Sequence, residues 1–209
     1  MYNRRDLADP SVVQNRSKFL ANISASIDNT VRLGVSYERE NFCEYKEVAK
    51  KHAGFGMRGK DSVIADALIT KDSTLTLFLP VADCVGAAIY DPTQNIVALA
   101  HLGRHSLEQN GGTKIIEHLT GQYGSDPKDL KIWLTPAPGK DVYTIWALEN
   151  KGMKEAAFEQ LFAAGILPKN ITDNTAETDK DPNYYSYSEF LKGNKKEDGD
   201  HAIAISLQA

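Results

Sequence analysis

The chain has 209 residues, 42% of them hydrophobic and 25% charged, which is enough for one sizeable core and typical of a globular protein. A formal net charge of −4 offers no basic field for nucleic acid or an anionic membrane, so neither is expected as a partner. Residues 1–25 carry no apolar leader, and no run reaches the roughly 18 apolar residues of a membrane span. The expectation is therefore a single cytoplasmic domain over residues 1–209, with Cys43 and Cys84 as reduced thiols rather than a disulfide framework.

In chain order, Asp9-Pro10 reads as an N-cap followed by proline at the first helical position. Val12, Val13, Arg16, Phe19, Leu20 and Ile23 then fall at helical spacing. "TVRLGVSYE" from residue 30 alternates apolar and polar positions and "NFCEYKEV" does so less cleanly, which suggests two strands, paired as a hairpin. The glycine-rich, charged stretch at 50–62 reads as a flexible loop. Four strands follow, "ADALIT", "LTLFLPVADC", "GAAIYD" and "NIVALAH", the last two joined tightly through "DPTQN".

Helical spacing returns in "GGTKIIEHLTGQYG", ending at Gly121 or Gly124, and again in "KGMKEAAFEQLFAAG", with the strand "LKIWLTP" and a "PAPG" loop between them. The tail holds "NYYSYSEF", a solvated "KGNKKEDGD" and a last strand "HAIAISL". Tyr184, Tyr185 and Tyr187 read either as a strand packed on the core or as an aromatic platform. This order implies an α/β fold, an α+β sandwich of mixed β-sheets flanked by helices.

Cys84 and His101 stand at the ends of neighbouring strands, where a rigid sheet projects side chains into a cleft. The pair suits either of two chemistries. As zinc ligands they need a third protein donor and an open position; as a nucleophilic dyad the imidazole activates the thiol. Two buried polar residues in a core is the plainer reading of the same spacing.

Asp83 either caps a turn or orients a neighbour. Arg104 and His105 after His101 suit a phosphate or carboxylate, or are solvated loop residues. His52, in the glycine loop, is a candidate ligand or proton carrier if the loop closes over the site, and otherwise an exposed histidine. His118 and His201 read as surface residues.

"VADCVGAAIYDP" followed by "IVALAHLGRHS" resembles the signature of the laccase-domain proteins, the multicopper polyphenol oxidase type, also called the peptidoglycan editing factor or purine nucleoside phosphorylase family. Asn15-Arg16, "ADALIT", "LTPAPGKDVY" and "TAETDKDPNYYSYSEF" are similar to further family motifs in the same order, so the resemblance spans nearly the whole chain. It implies a layered architecture shared with cysteine-dependent deamidases, and a zinc ion held by Cys84, His101 and a further histidine. Tyr37 stands where that histidine is expected, so His52, Tyr37 or His105 is the candidate to complete the set.

The pattern departs from the family in three further places. Arg104-His105-Ser106 replaces Trp-Arg-Gly, Glu177 replaces a cysteine, and Ser188 or Glu189 replaces an arginine. The resemblance implies phosphorolysis of purine nucleosides, with adenosine deamination in some members. Zinc is conditional on a third ligand, and the expected partners are a nucleoside and phosphate. Catalytic roles fall to Cys84, His101 and Asp83, and substrate binding to Arg104, His105 and Tyr37. Two alternatives are a metal-free Cys-His hydrolase or deamidase, and a binding protein that has kept the fold without the chemistry.

Overall fold

Asp9 starts the first helix as an N-cap: its carboxylate accepts from the backbone N–H of Ser11 at 2.8 Å, with Pro10 behind it. The computed structural model describes residues 9–59 and 62–207. In chain order its elements are α1 (Pro10–Ala21), β1 (Thr30–Gly34), β2 (Tyr45–Glu47), β3 (Val63–Ile64), β4 (Ala67–Thr70), β5 (Thr76–Val81), β6 (Val85–Asp91) and β7 (Ile96–Leu102). Then come α2 (Arg104–Glu108), α3 (Gly111–Tyr123), β8 (Lys131–Leu134), β9 (Thr144–Ile145), β10 (Lys151–Gly152), α4 (Met153–Ala163), β11 (Ile171–Asp173), α5 (Tyr187–Leu191) and β12 (His201–Ser206).

Two mixed sheets carry the fold, one of six strands in the order β11-β8-β6-β7-β4-β2 and one of four in the order β12-β5-β1-β3; β9 and β10 form a separate pair. Their facing sides bury Val31, Leu33, Leu77 and Leu79 against Ala88, Val97 and Leu99. The far face of the larger sheet packs Ala87, Ile89 and Ala98 on Ile115, Ile116 and Leu119 of α3 and on Ala157 and Leu161 of α4. Phe78 on the far face of the smaller sheet meets Leu20 of α1. Helix, sheet, sheet and helix therefore stack in layers, which is the mixed-sheet α/β class expected. Strands buried on both faces explain why β5, β6 and β7 read as nearly continuous apolar runs.

The β6–β7 hairpin forms as expected, in register from Val85 opposite Leu102 to Asp91 opposite Ile96. Its turn is held by the Asp91 carboxylate, which accepts from the N–H groups of Thr93 and Gln94. Four expectations are corrected. β1 and β2 do not pair: β1 lies between β5 and β3 in the smaller sheet, parallel to both, while β2 lies parallel to β4 in the larger one. β5 stops at Val81, because Asp83 turns the chain with φ of 79°.

The glycine loop is also more tightly held than its composition suggests. Met57 is fully buried, and the wholly buried Arg16 of α1 donates from Nη1 to the carbonyls of Gly56 at 3.2 Å and Met57 at 2.7 Å. The tyrosine-rich tail forms the short helix α5 rather than a strand, capped by the Ser186 side chain on the N–H of Glu189.

Arg16→Met removes the charged donor from two carbonyls that stay buried, at a cost of about 2 kcal/mol. The expected result is a lower urea midpoint with an unchanged slope; an unshifted midpoint would show that the grip of Arg16 on the glycine loop is idle.

Candidate functional site

The turn between β5 and β6 sets the site. Asp83 sits in the left-handed region, which aspartate tolerates better than most residues. Its buried carboxylate accepts from Thr178 Oγ1 at 2.8 Å on one oxygen and from the Ser188 N–H at 2.8 Å on the other. Both oxygens are thus engaged by the tail, which holds the turn that carries Cys84. His101 arrives on β7, opposite Gly86, with its N–H on the Asp66 carbonyl at 2.8 Å.

Gly103 brings the two together. A methyl group there would stand 3.2 Å from Cys84 Sγ, 3.1 Å from His101 Nε2 and 2.5 Å from His101 Cε1, so thiol and imidazole converge over its backbone. Both line a cavity of about 330 Å³ that also takes in Arg32, Tyr37, Ser62 and Asp200. Burial, with the positive charge of Arg39 adding to it, pushes the His101 pKa down to about 4. At neutral pH the ring is uncharged, the form that acts as a base or ligand.

Tyr37 is 63% exposed and stands edge-on to His105, 6.0 Å between ring centres; His105 in turn stacks on Phe42 at 4.7 Å. This aromatic group forms a rim to the cavity. Arg104 is 48% exposed and donates to His105 Nε2 at 3.3 Å, and His105 Nδ1 lies 3.5 Å from Glu108. Neither Arg104 nor His105 lines the cavity itself.

His52 is placed elsewhere: its Nδ1 accepts from the N–H of Ala49 at 3.1 Å and its ring packs edge-on against Phe55. It caps its own 3-10 turn and is not among the cavity residues. Among the described residues no three His, Cys, Asp or Glu side chains gather in a group that could hold a metal ion. Glu177 lies against Gly139 of the "PAPG" loop and pairs with Lys180, while Glu189 holds Lys192 and Asn194. The residues at these departures from the family pattern are thus tied up within the tail.

Sequence reasoning passed over Arg32, Ser62 and Asp200 on the cavity wall, and Tyr143, a half-buried phenol close enough to Cys84 and Arg104 for their charges to act on it. Arg32 had one legible signal, a cation inside the alternating strand "TVRLG"; Asp200 had none beyond preceding a strand. His201 is corrected from surface to interior. Both its ring nitrogens are buried without a hydrogen-bond partner among the described residues, and burial lowers its pKa to about 4, partly opposed by Asp83. His118 is half-buried between Tyr45 and Tyr123.

The fold and the Cys84–His101 cavity define a layered α/β protein with a thiol–imidazole pocket. The chain belongs to the family described as multi-copper polyphenol oxidoreductase laccase, whose model matches residues 3–151. It is 24% identical over 139 residues to the purine nucleoside phosphorylase YlmD of Bacillus subtilis (strain 168), a match covering 66% of this chain and 49% of that protein. The matched region thus spans about half the length of that relative. Among solved structures, the hypothetical protein YfiH of Bacillus licheniformis aligns with a TM-score of 0.83 at 21% identity, covering 94% of this chain and 81% of that one. YlmD of Geobacillus stearothermophilus aligns with a TM-score of 0.82 at 20% identity, covering 95% and 80%. These likenesses establish the fold. No helix among the described residues is long and apolar enough to cross a membrane.

Two outcomes test the site. Since His101 and His201 have folded pKa values near 4 against an ordinary 6.5, the unfolded chain binds more protons between those values. Stability is therefore full above pH 6.5 and falls as pH drops towards 4, with no further loss from these groups below that. His201→Phe, which keeps an aromatic ring against Tyr184, flattens part of that fall in urea titrations at stepped pH; an unchanged slope contradicts the assignment. Gly103→Ala is expected to force Cys84 and His101 apart. A twofold or smaller change in the alkylation rate of Cys84 would show that the convergence is not tight.

Proposed function

We propose that the chain cleaves the N-glycosidic bond of purine nucleosides with phosphate as acceptor. The observation that carries this reading is the convergence of Cys84 and His101 in a nucleoside-sized cavity with an aromatic rim. The fold shared with proteins named YlmD and the sequence match to one named purine nucleoside phosphorylase support it.

In such a reaction a phosphate oxygen bonds to C1′ of the ribose as the bond from C1′ to the purine nitrogen breaks, and the electron pair leaves with the base. Arg32 supplies a cation on the cavity wall for the phosphate, and Tyr37 offers a ring on which the purine stacks. The neutral imidazole of His101 and the thiol of Cys84 are the groups placed to hydrogen-bond the departing base as charge develops on it. Asp83 acts through the tail, as the residue that positions Cys84.

The family resemblance brings zinc with it, and the donor set does not fit. A catalytic zinc takes three protein ligands; Tyr37 and Asp200 share the cavity with Cys84 and His101, but among the described residues no three His, Cys, Asp or Glu side chains gather closely enough to hold a metal ion, and His52 caps a turn of its own. No step is drawn through a metal. The same two-donor arrangement favours a second reading, a metal-free Cys-His hydrolase or deamidase, in which His101 takes the thiol proton as sulfur adds to an amide carbonyl carbon and the C=O π bond opens; the carbonyl re-forms as the C–N bond breaks, the amine leaves with the proton from His101, and water then cleaves the thioester.

Adenosine and inosine, each with and without inorganic phosphate, followed by chromatography for free base, separate these readings. Adenine and hypoxanthine should appear only with phosphate, and Cys84→Ala should slow release by roughly 100-fold or more with an unchanged circular dichroism spectrum. Metal analysis should find zinc well below one equivalent. Inosine formed from adenosine identifies deamination, while base release independent of phosphate, or full activity in Cys84→Ala, overturns the proposal.

A further inference from the structure

Between β1 and β2 the chain runs from residue 35 to 44 with no helix or strand, yet this stretch carries two lining residues of the cavity, Val35 and Tyr37. Side chains fix it to the rest of the molecule at two points. At the first, Arg39 donates from Nε to the Ser36 carbonyl at 3.1 Å, closing the turn that holds Tyr37, and from Nη2 to the buried Asp66 at 2.6 Å. The Asp66 carboxylate also accepts the Glu44 N–H at 2.9 Å, and its carbonyl takes the His101 N–H at 2.8 Å. The stretch is thereby tied to the strand that carries the imidazole.

The second point is Gln109, a half-buried residue at the C-terminal cap of α2. Its Oε1 accepts the Phe42 N–H at 2.9 Å and its Nε2 donates to the Glu40 carbonyl at 2.7 Å. One primary amide thus serves a backbone donor and a backbone acceptor together, which neither a carboxylate nor an ammonium can do. What Gln109 holds bears on the rim. Phe42 is buried and stacks on His105 at 4.7 Å with 23° between the planes, and His105 stands edge-on to Tyr37 at 6.0 Å. Gln109, Phe42, His105 and Tyr37 therefore form a continuous run of contacts from the end of α2 to the rim of the cavity.

We propose that Gln109 is a positioning residue: by holding residues 40–42 on α2 it backs the aromatic rim at Tyr37, and so sets how tightly the cavity takes a flat ring without entering the chemistry. A stacking surface that moves freely must be ordered again each time a ligand binds, and that ordering is subtracted from the affinity. Two hydrogen bonds from a single side chain supply the order here, in a stretch that has no strand ladder of its own. This inference rests on the nucleoside reading and deepens it, since the flat ring is then the purine.

Gln109→Met keeps the length of the side chain and removes both hydrogen bonds. Phosphate-dependent base release from adenosine should then show KM raised about tenfold with kcat within about twofold of wild type, the signature of lost binding rather than lost chemistry. Alkylation of Cys84, followed by mass spectrometry peptide by peptide so that Cys43 is read separately, gives a readout that needs no nucleoside. The rate with a bulky maleimide relative to iodoacetamide should rise about threefold or more as the rim loosens. Phe42→Leu leaves the N–H that Gln109 accepts but removes the ring behind His105; it should raise KM in the same direction, and it decides the question if Gln109→Met does not fold. A KM within about twofold of wild type in a folded variant, a fall in kcat with KM unmoved, or an unchanged alkylation ratio overturns the assignment. If wild-type protein releases no base, the nucleoside reading falls and takes this one with it; base release with an unmoved KM confines the failure to Gln109.

Discussion

The buried carboxylate of Asp83 is the contact on which the site depends. It reaches partners 95 and 105 residues further along the chain, and through them ties the tail to the turn that presents Cys84. A residue with φ of 79° beside Cys84 is a backbone cost of the order of 1 kcal/mol, accepted where surrounding structure over-determines it. Here the over-determination is visible: two hydrogen bonds at 2.8 Å hold the side chain, and the strands on either side of the turn belong to different sheets. The turn is the point where the chain leaves the smaller sheet for the larger, which is why the cavity opens there.

Electrostatics around the pair follow from the same crowding. Asp66 accepts from Arg39 at 2.6 Å and from the Glu44 N–H at 2.9 Å, which anchors a guanidinium near His101. Burial and that neighbouring charge keep the imidazole neutral, so its lone pair is available at physiological pH. Leu33, Val35, Ile64 and Tyr37 give the cavity apolar lining, Arg32, Ser62 and Asp200 polar lining, and the His105–Phe42 stack stands behind Tyr37. Such a division is typical of pockets that orient a small molecule with few, well-placed polar groups.

The amino-acid sequence made the layers legible because their causes are local. The Asp9-Pro10 cap, the β6–β7 turn chemistry and the amphipathic spacing of α3 each act within a few residues. The partnership of β1 was not legible: its alternation is correct, but a strand between two parallel neighbours draws them from later in the chain, and spacing carries no record of that. The same limit applies at the site. Cys84 and His101 were visible because a short hairpin joins their strands, whereas Arg32 and Asp200 meet them only through the order β12-β5-β1. His52 misled because its place in a glycine-rich stretch suggested closure over the site; its own turn and Phe55 hold the ring, and Arg16 holds the neighbouring Gly56 and Met57 carbonyls.

The cavity draws its walls from both ends of the chain. Arg32, Tyr37, Cys84 and His101 lie within residues 3–151, the span of the family match, while Asp200 enters from the C-terminal part, just before an outer strand of the smaller sheet. An outer strand has one hydrogen-bonded neighbour, yet the start of this one is closely packed, with Gly199 against the Tyr185 ring and Asp200 buried. The thiol and imidazole are therefore fixed by the hairpin, while the opposite wall is fixed from the C-terminal part of the chain, so the pocket keeps its shape only when both ends of the chain are folded together.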